Sequence, residues 1–157
     1  MDKFIGCITI IINIFVMNNV MHAASWKITA NPCPRSYSAV ITDSINGRVI
    51  LFGGSNWRLP WGQYFNDVWS LDFVEEIWKL IAVQNTPPVV RQMVATAYDS
   101  ISNKMYLFGG INNSGCLNDI WVLNLNIGNE SWTQITPSGS SPLSRHSATG
   151  IIDPINN

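Results

Sequence analysis

The sequence predicts an all-β fold of repeated four-stranded units, and three recurring segments predict it. An arginine that precedes an aspartate by eight residues recurs at intervals of 56 and 54 residues, at Arg35, Arg91 and Arg145. A Leu-Phe-Gly-Gly segment follows at residues 51–54 and 107–110, and an Asn-Asp-x-Trp segment at residues 66–69 and 118–121. A period of about fifty residues made of short strands and turns is typical of the blades of a β-propeller.

The composition agrees with a β-rich fold and argues against one class of function. The 157 residues suit roughly one ordinary domain. Only 12% of the residues are charged and the net charge is −1, so the chain lacks the basic field that binds nucleic acid. Seven tryptophans, together with many Ile and Val, favour pleated, half-buried strands, and no helical period is found after residue 25.

The first 24 residues are predicted to be a cleaved secretory signal peptide. Lys3 precedes an apolar run over residues 4–17, and the small residues Ala23 and Ala24 follow. A charged start, a short apolar stretch and a small-residue end are typical of such a signal. The run is shorter than the roughly 20 apolar residues that span a membrane. We therefore expect a secreted protein, with an uncleaved membrane anchor and a buried structural segment as the alternatives.

The strands are predicted from alternating apolar residues between turn residues. In the first unit, residues 35–83, they are expected at residues 37–42, 48–52, 67–73 and 77–83. In the second unit, residues 91–136, they are expected at residues 92–98, 104–108, 119–125 and 131–136. A strand at residues 26–30 precedes the first unit, and a third unit, residues 145–157, begins with a strand at residues 146–152.

Together these segments resemble kelch repeats, and the resemblance covers residues 26–157. A tryptophan that opens the fourth strand recurs as well, at intervals of 52 and 54 residues, at Trp26, Trp78 and Trp132. The resemblance implies a β-propeller of four-stranded blades around a central channel. The repeat-defining structural residues are then Gly53, Gly54, Gly109, Gly110, Trp69, Trp121, Trp78 and Trp132. The histidine often found three positions after the arginine is replaced by Ser38, Val94 and Ala148.

The chain carries two complete blades and a flanking strand at each end, which predicts an incomplete ring. Closed propellers typically need four to eight blades, because each blade buries its faces against two neighbours. Three explanations remain open. The sequence is a fragment of a longer chain that supplies further blades, or it assembles with other subunits, or it is a poorly stable two-blade piece without independent function.

No cofactor, metal or catalytic residue is predicted. His146 stands alone beside Arg145, and we find no Ser-His-Asp order, metal-spaced set or phosphate-binding glycine loop. Kelch-like propellers do include galactose oxidase and sialic-acid mutarotases, so the alternative function is a fragment of a secreted sugar oxidase or sialic-acid epimerase. The ligand set of the oxidase cannot be placed on this chain.

Secretion would permit two modifications. Cys33 and Cys116 lie in loops that face the same side of adjacent blades, so a disulfide is topologically allowed, with two free thiols as the alternative. Asn-x-Ser acceptors for glycosylation occur at Asn112 and Asn129, both in predicted loops.

Two groups of residues are candidates for binding a partner. The loop at residues 55–65 is four residues longer than its counterpart in blade two and carries Trp57, Arg58, Trp61, Tyr64 and Phe65. Such residues often form recognition hot spots, although they also pack within a fold. At the channel mouth Arg35, Arg91 and Arg145 would bind an acidic peptide or sugar acid, unless they pair with Asp67 and Asp119. We expect a binding module for a protein or carbohydrate.

Overall fold

The structure is a computed structural model that describes residues 32–58 and 62–153. Within these ranges the chain forms 12 β-strands and no helix. The predicted signal peptide at residues 1–24, the strand at residues 26–30 with Trp26, and the loop residue Trp61 lie outside the described residues. The all-β prediction is confirmed, and the sheets do not close into a ring.

Each blade is a four-stranded antiparallel sheet with a small hairpin inserted between its second and third strands. Blade one consists of β1 (Ala39–Asp43), β2 (Arg48–Phe52), β5 (Val68–Asp72) and β6 (Trp78–Leu80), with the hairpin β3 (Ser55–Asn56) and β4 (Gln63–Tyr64). Blade two consists of β7 (Ala95–Asp99), β8 (Lys104–Phe108), β11 (Ile120–Asn124) and β12 (Ser131–Ile135), with the hairpin β9 (Ile111–Asn112) and β10 (Gly115–Cys116). The predicted second strands match β2 and β8 at both ends.

The strand order gives the pair of blades two distinct ends. One end, which we call the turn face, carries the turns β1–β2, β5–β6, β7–β8 and β11–β12. The two inserted hairpins and the segments that lead into β1 and β7 lie at the opposite end, which we call the hairpin face. The described candidate binding residues of the sequence analysis belong to the hairpin face.

The hydrophobic core lies between the two blades, because strand alternation turns one apolar face of each sheet towards the other. Ile50, Phe52 and Val68 of blade one are buried there. Across from them, blade two contributes a cluster that includes Met105, Leu107, Leu123 and Trp132. The rings of Phe52 and Trp132 meet edge to face, with their centroids 5.0 Å apart. Trp132 therefore contributes to packing between the blades.

A buried polar joint also connects the blades. Arg48 donates to the Asp43 carboxylate at 2.8 Å within blade one. The same guanidinium reaches across to the Glu130 carboxylate at 3.1 Å and to the Leu125 carbonyl at 2.7 Å in blade two. The Tyr98 hydroxyl returns from blade two to Asp43 at 3.3 Å. All these groups are paired, as buried charges must be.

Residues 146–152, expected to be the first strand of a third blade, make no strand pairing in the described structure. Gly150 instead lies against the backbone of β7, where an added Cβ would be 2.9 Å from the Thr96 carbonyl oxygen. The innermost strand of a blade pairs only with the second strand of the same blade, as β1 pairs with β2. The described residues contain no such second strand for this segment.

The glycine doublets mark the points at which one blade is bonded to the next. The Gly54 amide donates to the Arg91 carbonyl at 2.9 Å, and the Gly110 amide donates to the Arg145 carbonyl at 2.9 Å. A Cβ on Gly53 would lie 2.7 Å from the same Arg91 oxygen, and φ at Gly53 is +65°. The doublet is therefore required both for its backbone angles and for this close approach.

We expect Gly53→Ala to be more destabilising than Gly47→Ala. Both glycines have a positive φ, +65° and +63°, so both variants carry the left-handed cost of about 1–2 kcal/mol. Only Gly53 faces another backbone, since nothing lies within 4 Å of a Cβ on Gly47. The clash should add about 1–3 kcal/mol to the loss for Gly53→Ala. Urea denaturation of the two variants measures the difference, and equal losses would contradict the prediction.

Candidate functional site

An arginine clamp closes the hairpin-face end of blade one. Arg35 donates from its two terminal nitrogens to the two carboxylate oxygens of Asp67, at 2.5 and 2.9 Å. The Trp69 indole nitrogen donates to the same carboxylate at 2.6 Å, and Arg35 also donates to the Gly53 carbonyl at 3.1 Å. This fork-to-fork geometry gives a strong, directional ion pair.

Blade two repeats the clamp atom for atom. Arg91 donates to the two oxygens of Asp119 at 2.6 and 2.7 Å, and Trp121 donates to Asp119 at 2.6 Å. Arg91 also donates to the Gly109 carbonyl at 2.9 Å. The Arg91 side chain is 0% exposed. Both of these predicted channel-mouth arginines are thus occupied inside their own blades.

The clamps keep their aspartates ionised. Burial by itself would raise the pKa of Asp67, but hydrogen bonds from Arg35 and Trp69 outweigh it, and the pKa lies below its usual value. Burial acts in the same direction on the pKa of Asp119, and hydrogen bonds from Arg91 and Trp121 again lower it. Each clamp therefore contains one positive and one negative charge and presents no net charge to a partner.

Arg145 holds the same position in the third repeat but has no carboxylate partner in the described part of the chain. Its Nε donates to the Leu143 carbonyl at 3.1 Å, as Arg91 Nε does to Val89 and Arg35 Nε to Cys33. That bond orients the guanidinium, and Arg145 as a whole is exposed to solvent.

The longer loop of blade one is a β-hairpin that carries an exposed tryptophan. Trp57 is 57% exposed, although its ring packs edge to face on Tyr64 with centroids 5.6 Å apart. The ring also lies on the backbone of Gly62, where a Cβ would be 2.6 Å away. The backbone amide of Arg58 is held by the Asn56 side chain at 2.9 Å. The indole is thus fixed on a small support and still open to a partner.

Phe65 differs from the other residues of this loop. The Arg35 guanidinium lies 4.0 Å from the centre of the Phe65 ring, a cation–π contact that makes the ring part of the clamp. Phe65 is half-buried and its amide and carbonyl bond to Gly54 and Arg91. Of the described candidate residues of this loop, Trp57 and Arg58 are therefore the exposed ones, and Tyr64 is half-buried beneath Trp57.

Of the residues predicted for modification, Cys33, Cys116 and Asn112 lie on the hairpin face and Asn129 lies on the turn face. Cys33 and Cys116 are both exposed free thiols, so no disulfide joins them in the structure. Asn112 sits in β9, and its side-chain oxygen accepts from the Ser114 amide at 2.8 Å. Asn129 is exposed in the β11–β12 turn on the opposite face, with its carbonyl bonded to Asn124. Glycosylation at either asparagine stays a prediction.

Sequence reasoning missed two sets of contacts between blades. The Asn66 side chain donates to the Pro88 carbonyl at 3.0 Å, and Ser55 of blade one bonds to Gln92 of blade two. The joint around Arg48 was also missed. The sequence did contain a signal for the first of these contacts, the asparagine of the Asn-Asp-x-Trp motif. It recurs because Asn118 likewise donates to a proline carbonyl, that of Pro142, at 3.5 Å.

No catalytic or metal-binding arrangement is found among the described residues. They contain no group of three or more His, Cys, Asp or Glu side chains placed to hold a metal ion. His146 is exposed, and its Nδ1 lies 2.9 Å from the Ser147 hydroxyl. In residues 32–58 and 62–153 no helix is long and apolar enough to cross a membrane.

We expect Arg91→Ala to unfold the chain far more readily than Arg145→Ala. Removing Arg91 leaves the Asp119 carboxylate without its ion-pair partner, which typically costs about 3–5 kcal/mol. Removing the exposed Arg145 side chain breaks no ion pair and should change the free energy of unfolding by about 0.5 kcal/mol or less. Chemical denaturation of the two variants measures this, and a loss for Arg145→Ala as large as that for Arg91→Ala would refute it.

Comparison with known proteins assigns the family. The profile of the KLHDC2/KLHL20/DRC7 Kelch-repeats domain matches residues 10–155. The alpha chain of the flagellar outer-arm dynein of Chlamydomonas reinhardtii is 33% identical over 117 residues, 73% of this chain and 2% of the dynein chain. Acyl-CoA-binding domain-containing protein 5 of Arabidopsis thaliana is 26% identical over 133 residues, 83% of this chain and 20% of that protein.

Host cell factor 1 of Homo sapiens is 29% identical over 119 residues, 67% of this chain and 6% of that protein. The chain thus spans between 2% and 20% of the length of these three relatives. Kelch-repeat domains are typically protein-interaction modules. The matching profile, the relatives and the repeated blades agree, and the chain belongs to the kelch-repeat family.

Proposed function

We propose that this chain is a protein-interaction module that binds an acidic protein segment on its hairpin face. The observation that carries the proposal is the exposed Trp57, which lies beside Arg58 on a face whose described carboxylates, Asp67 and Asp119, are both bound in the clamps. Arg35 and Arg91 each bind an aspartate through both terminal nitrogens. Arg145 has the same backbone support but no such partner in the described residues.

The charges of the hairpin face support an acidic partner. Its described residues include four arginines, Arg35, Arg58, Arg91 and Arg145. The described acidic side chains on this face, Asp67 and Asp119, are both bound in the ion pairs of the clamps. Two positive charges therefore remain uncompensated in this part of the chain. Such a field attracts an anionic partner and raises its association rate.

The exposed side chains of the hairpin face supply apolar contact area beside that charge. Trp57 is held on Gly62 and Tyr64, so binding a partner costs it little conformational entropy. Val89 and Leu143, which lead into the arginines of the second and third repeats, are exposed as well. Aromatic residues and arginines are the residue types that dominate binding energy in interfaces.

A carbohydrate partner is the second candidate, and the exposed Trp57 ring favours it. A neutral sugar would stack on this ring and would not need Arg145, whereas an acidic protein segment should need both. The two candidates therefore differ in how strongly binding depends on Arg145 and on salt.

The hairpin face can be tested with two immobilised peptide libraries that share hydrophobic positions, one rich in Asp and Glu and the other in Asn and Gln. We expect the chain to prefer the acidic library. Arg145→Ala and Trp57→Ala should each weaken binding by about tenfold, equivalent to about 1.4 kcal/mol. Lys79→Ala, which removes an exposed positive charge from β6, should leave binding unchanged.

Two outcomes would count against the proposal. Equal binding of the two libraries would remove the electrostatic argument. Binding to a glycan array that survives Arg145→Ala, together with no binding to either library, would favour the carbohydrate candidate instead.

Export of the protein is a separate proposal that rests on the sequence of residues 1–24 alone. Expression of the full chain in a secretory host should release a protein into the medium that begins near Ala24 or Ser25. Ile11→Arg, which places a charge in the apolar run, should retain the chain in the cells. A secreted protein that still begins at Met1, or export that is unaffected by Ile11→Arg, would disprove a cleaved signal.

A further inference from the structure

Every described turn on the turn face has an exposed aliphatic side chain. Ile45 lies in the β1–β2 turn, Val74 in the β5–β6 turn, Ile101 in the β7–β8 turn and Ile127 in the β11–β12 turn. These side chains are 55%, 92%, 74% and 65% exposed, respectively. We call these four residues the aliphatic patch. It lies at the end opposite the hairpin face and takes no part in the function proposed above.

The four turns are bonded to one another, so the patch is one surface rather than four separate loops. The Phe73 amide donates to the Gly47 carbonyl at 3.0 Å, which joins the β5–β6 turn to the β1–β2 turn. The Asn46 side chain donates to the Leu125 carbonyl at 3.2 Å, which joins the β1–β2 turn to the β11–β12 turn.

The last link joins the two turns of blade two. The Leu125 amide donates to the Asn103 carbonyl at 3.0 Å, and the Asn103 side chain donates to Asn126 at 3.3 Å. The buried joint around Arg48 lies directly behind these turns. A partner would therefore meet a surface that is already ordered, and it would not have to order flexible loops.

The turns themselves do not require these aliphatic residues. Asp43 and Asp99 cap their turns by accepting backbone amides from Asn46 and Ile101, and Gly47 and Asn103 supply the positive φ. Turn tips normally carry Gly, Pro, Asn, Asp or Ser. A single exposed aliphatic residue needs no explanation, but one in each of four bonded turns forms a recurrent apolar surface.

The charge beside the patch is negative. The β5–β6 turn contains Asp72, Glu75 and Glu76, and the amides of Glu75 and Val74 hold the pKa of Asp72 below its usual value. Lys79 is paired with Glu75 at 2.5 Å, and Arg48 is buried between Asp43 and Glu130. Lys104 lies beside Asp99 at the β7–β8 turn, and the described carboxylates still outnumber the cationic groups of this face, the reverse of the hairpin face.

We propose that the aliphatic patch is a second docking surface, which binds a basic, amphipathic segment of another protein. Apolar side chains of that segment would cover the patch, and its Lys or Arg residues would face the carboxylates of the β5–β6 turn. Basic and apolar side chains together satisfy both features of the surface.

Two other occupants fit less well. An anionic membrane would be repelled by Asp72, Glu75 and Glu76, although aliphatic turn tips alone would suit a lipid surface. A second copy could present its hairpin face, but the exposed apolar side chains described there lie on separate segments and do not form one amphipathic segment; they are Tyr37, Trp57, Val89 and Leu143. Both occupants are therefore outcomes of the test.

The test uses the full chain with two synthetic helical peptides, one of Leu and Lys and the other of Leu and Glu. We expect the Leu/Lys peptide to bind and the Leu/Glu peptide to bind at least about tenfold more weakly. The triple variant I45S/I101S/I127S should weaken the Leu/Lys peptide by at least about tenfold. Leu80→Ser, an exposed aliphatic position on β6, should not change the affinity.

A second pair of variants separates the electrostatic part from the apolar part. E75Q/E76Q should weaken the Leu/Lys peptide and reduce the dependence of its affinity on salt. Circular dichroism of each variant checks that the strands are retained. We expect them to be retained because none of the substituted side chains is buried.

Four outcomes would overturn the proposal. The first two are a failure of the Leu/Lys peptide to bind and equal binding of the two peptides. The third is sedimentation of the chain with vesicles of phosphatidylcholine and phosphatidylserine, if the triple variant no longer sediments. The fourth is self-association of the chain, if the triple variant no longer self-associates. None of these results bears on the hairpin face, because its test relies on Trp57 and Arg145.

Discussion

Arg91, the arginine at the start of the second repeat, is the residue on which the rest of this structure depends, because it bonds in two directions. Its side chain binds the aspartate and a glycine carbonyl of its own blade. Its backbone carbonyl accepts the second glycine amide of the preceding blade. One residue thus closes the end of a sheet and attaches that sheet to its neighbour. The glycine doublet recurs with it because a Cβ would occupy the space of that carbonyl oxygen.

The same clamp decides how charge is distributed over the molecule. A bidentate ion pair that also receives an indole N–H is electrically neutral and rigid. It therefore removes Asp67 and Asp119 as external charges and leaves Arg58 and Arg145 to define the hairpin face. The remaining carboxylates lie at the turns, where they accept backbone amides or pair with Arg48. The hairpin face is therefore positively charged and the turn face negatively charged, and each suits a different kind of partner.

The third repeat lacks, in the described residues, contacts that the first two repeats make. Arg145 keeps the backbone support of the clamp without its aspartate, and residues 146–152 lie beside β7 without becoming a strand. The core between the blades and the Arg48 joint, in contrast, are formed by the two described blades, and Ile50, Phe52, Met105 and Trp132 are buried.

The strands were predictable from the sequence because alternation and turn residues act locally. The second strand of each blade is found at the predicted residues, and the outermost strand of blade one shortens from residues 77–83 to Trp78–Leu80 because only its first part pairs with β5. Phe65 shows the limit of this approach. Beside Trp57 it belongs to an aromatic loop in the sequence, but in the structure the Arg35 guanidinium covers it. Nothing near residue 65 in the sequence indicates a contact thirty residues away.

What the sequence by itself determined is the repeat: its period, its strands, its glycine doublets and its family, all of which depend on neighbours along the chain. Only the tertiary structure decided which charged side chains are bound in ion pairs and which stay exposed. Arg35, Arg91 and Arg145 hold the same position in the repeat, yet in the described residues the first two are bound in ion pairs and Arg145 is exposed. The four aliphatic turn tips likewise become one surface only when the blades meet. The physical reason is that ion pairing and surface exposure depend on distances between strands far apart in sequence.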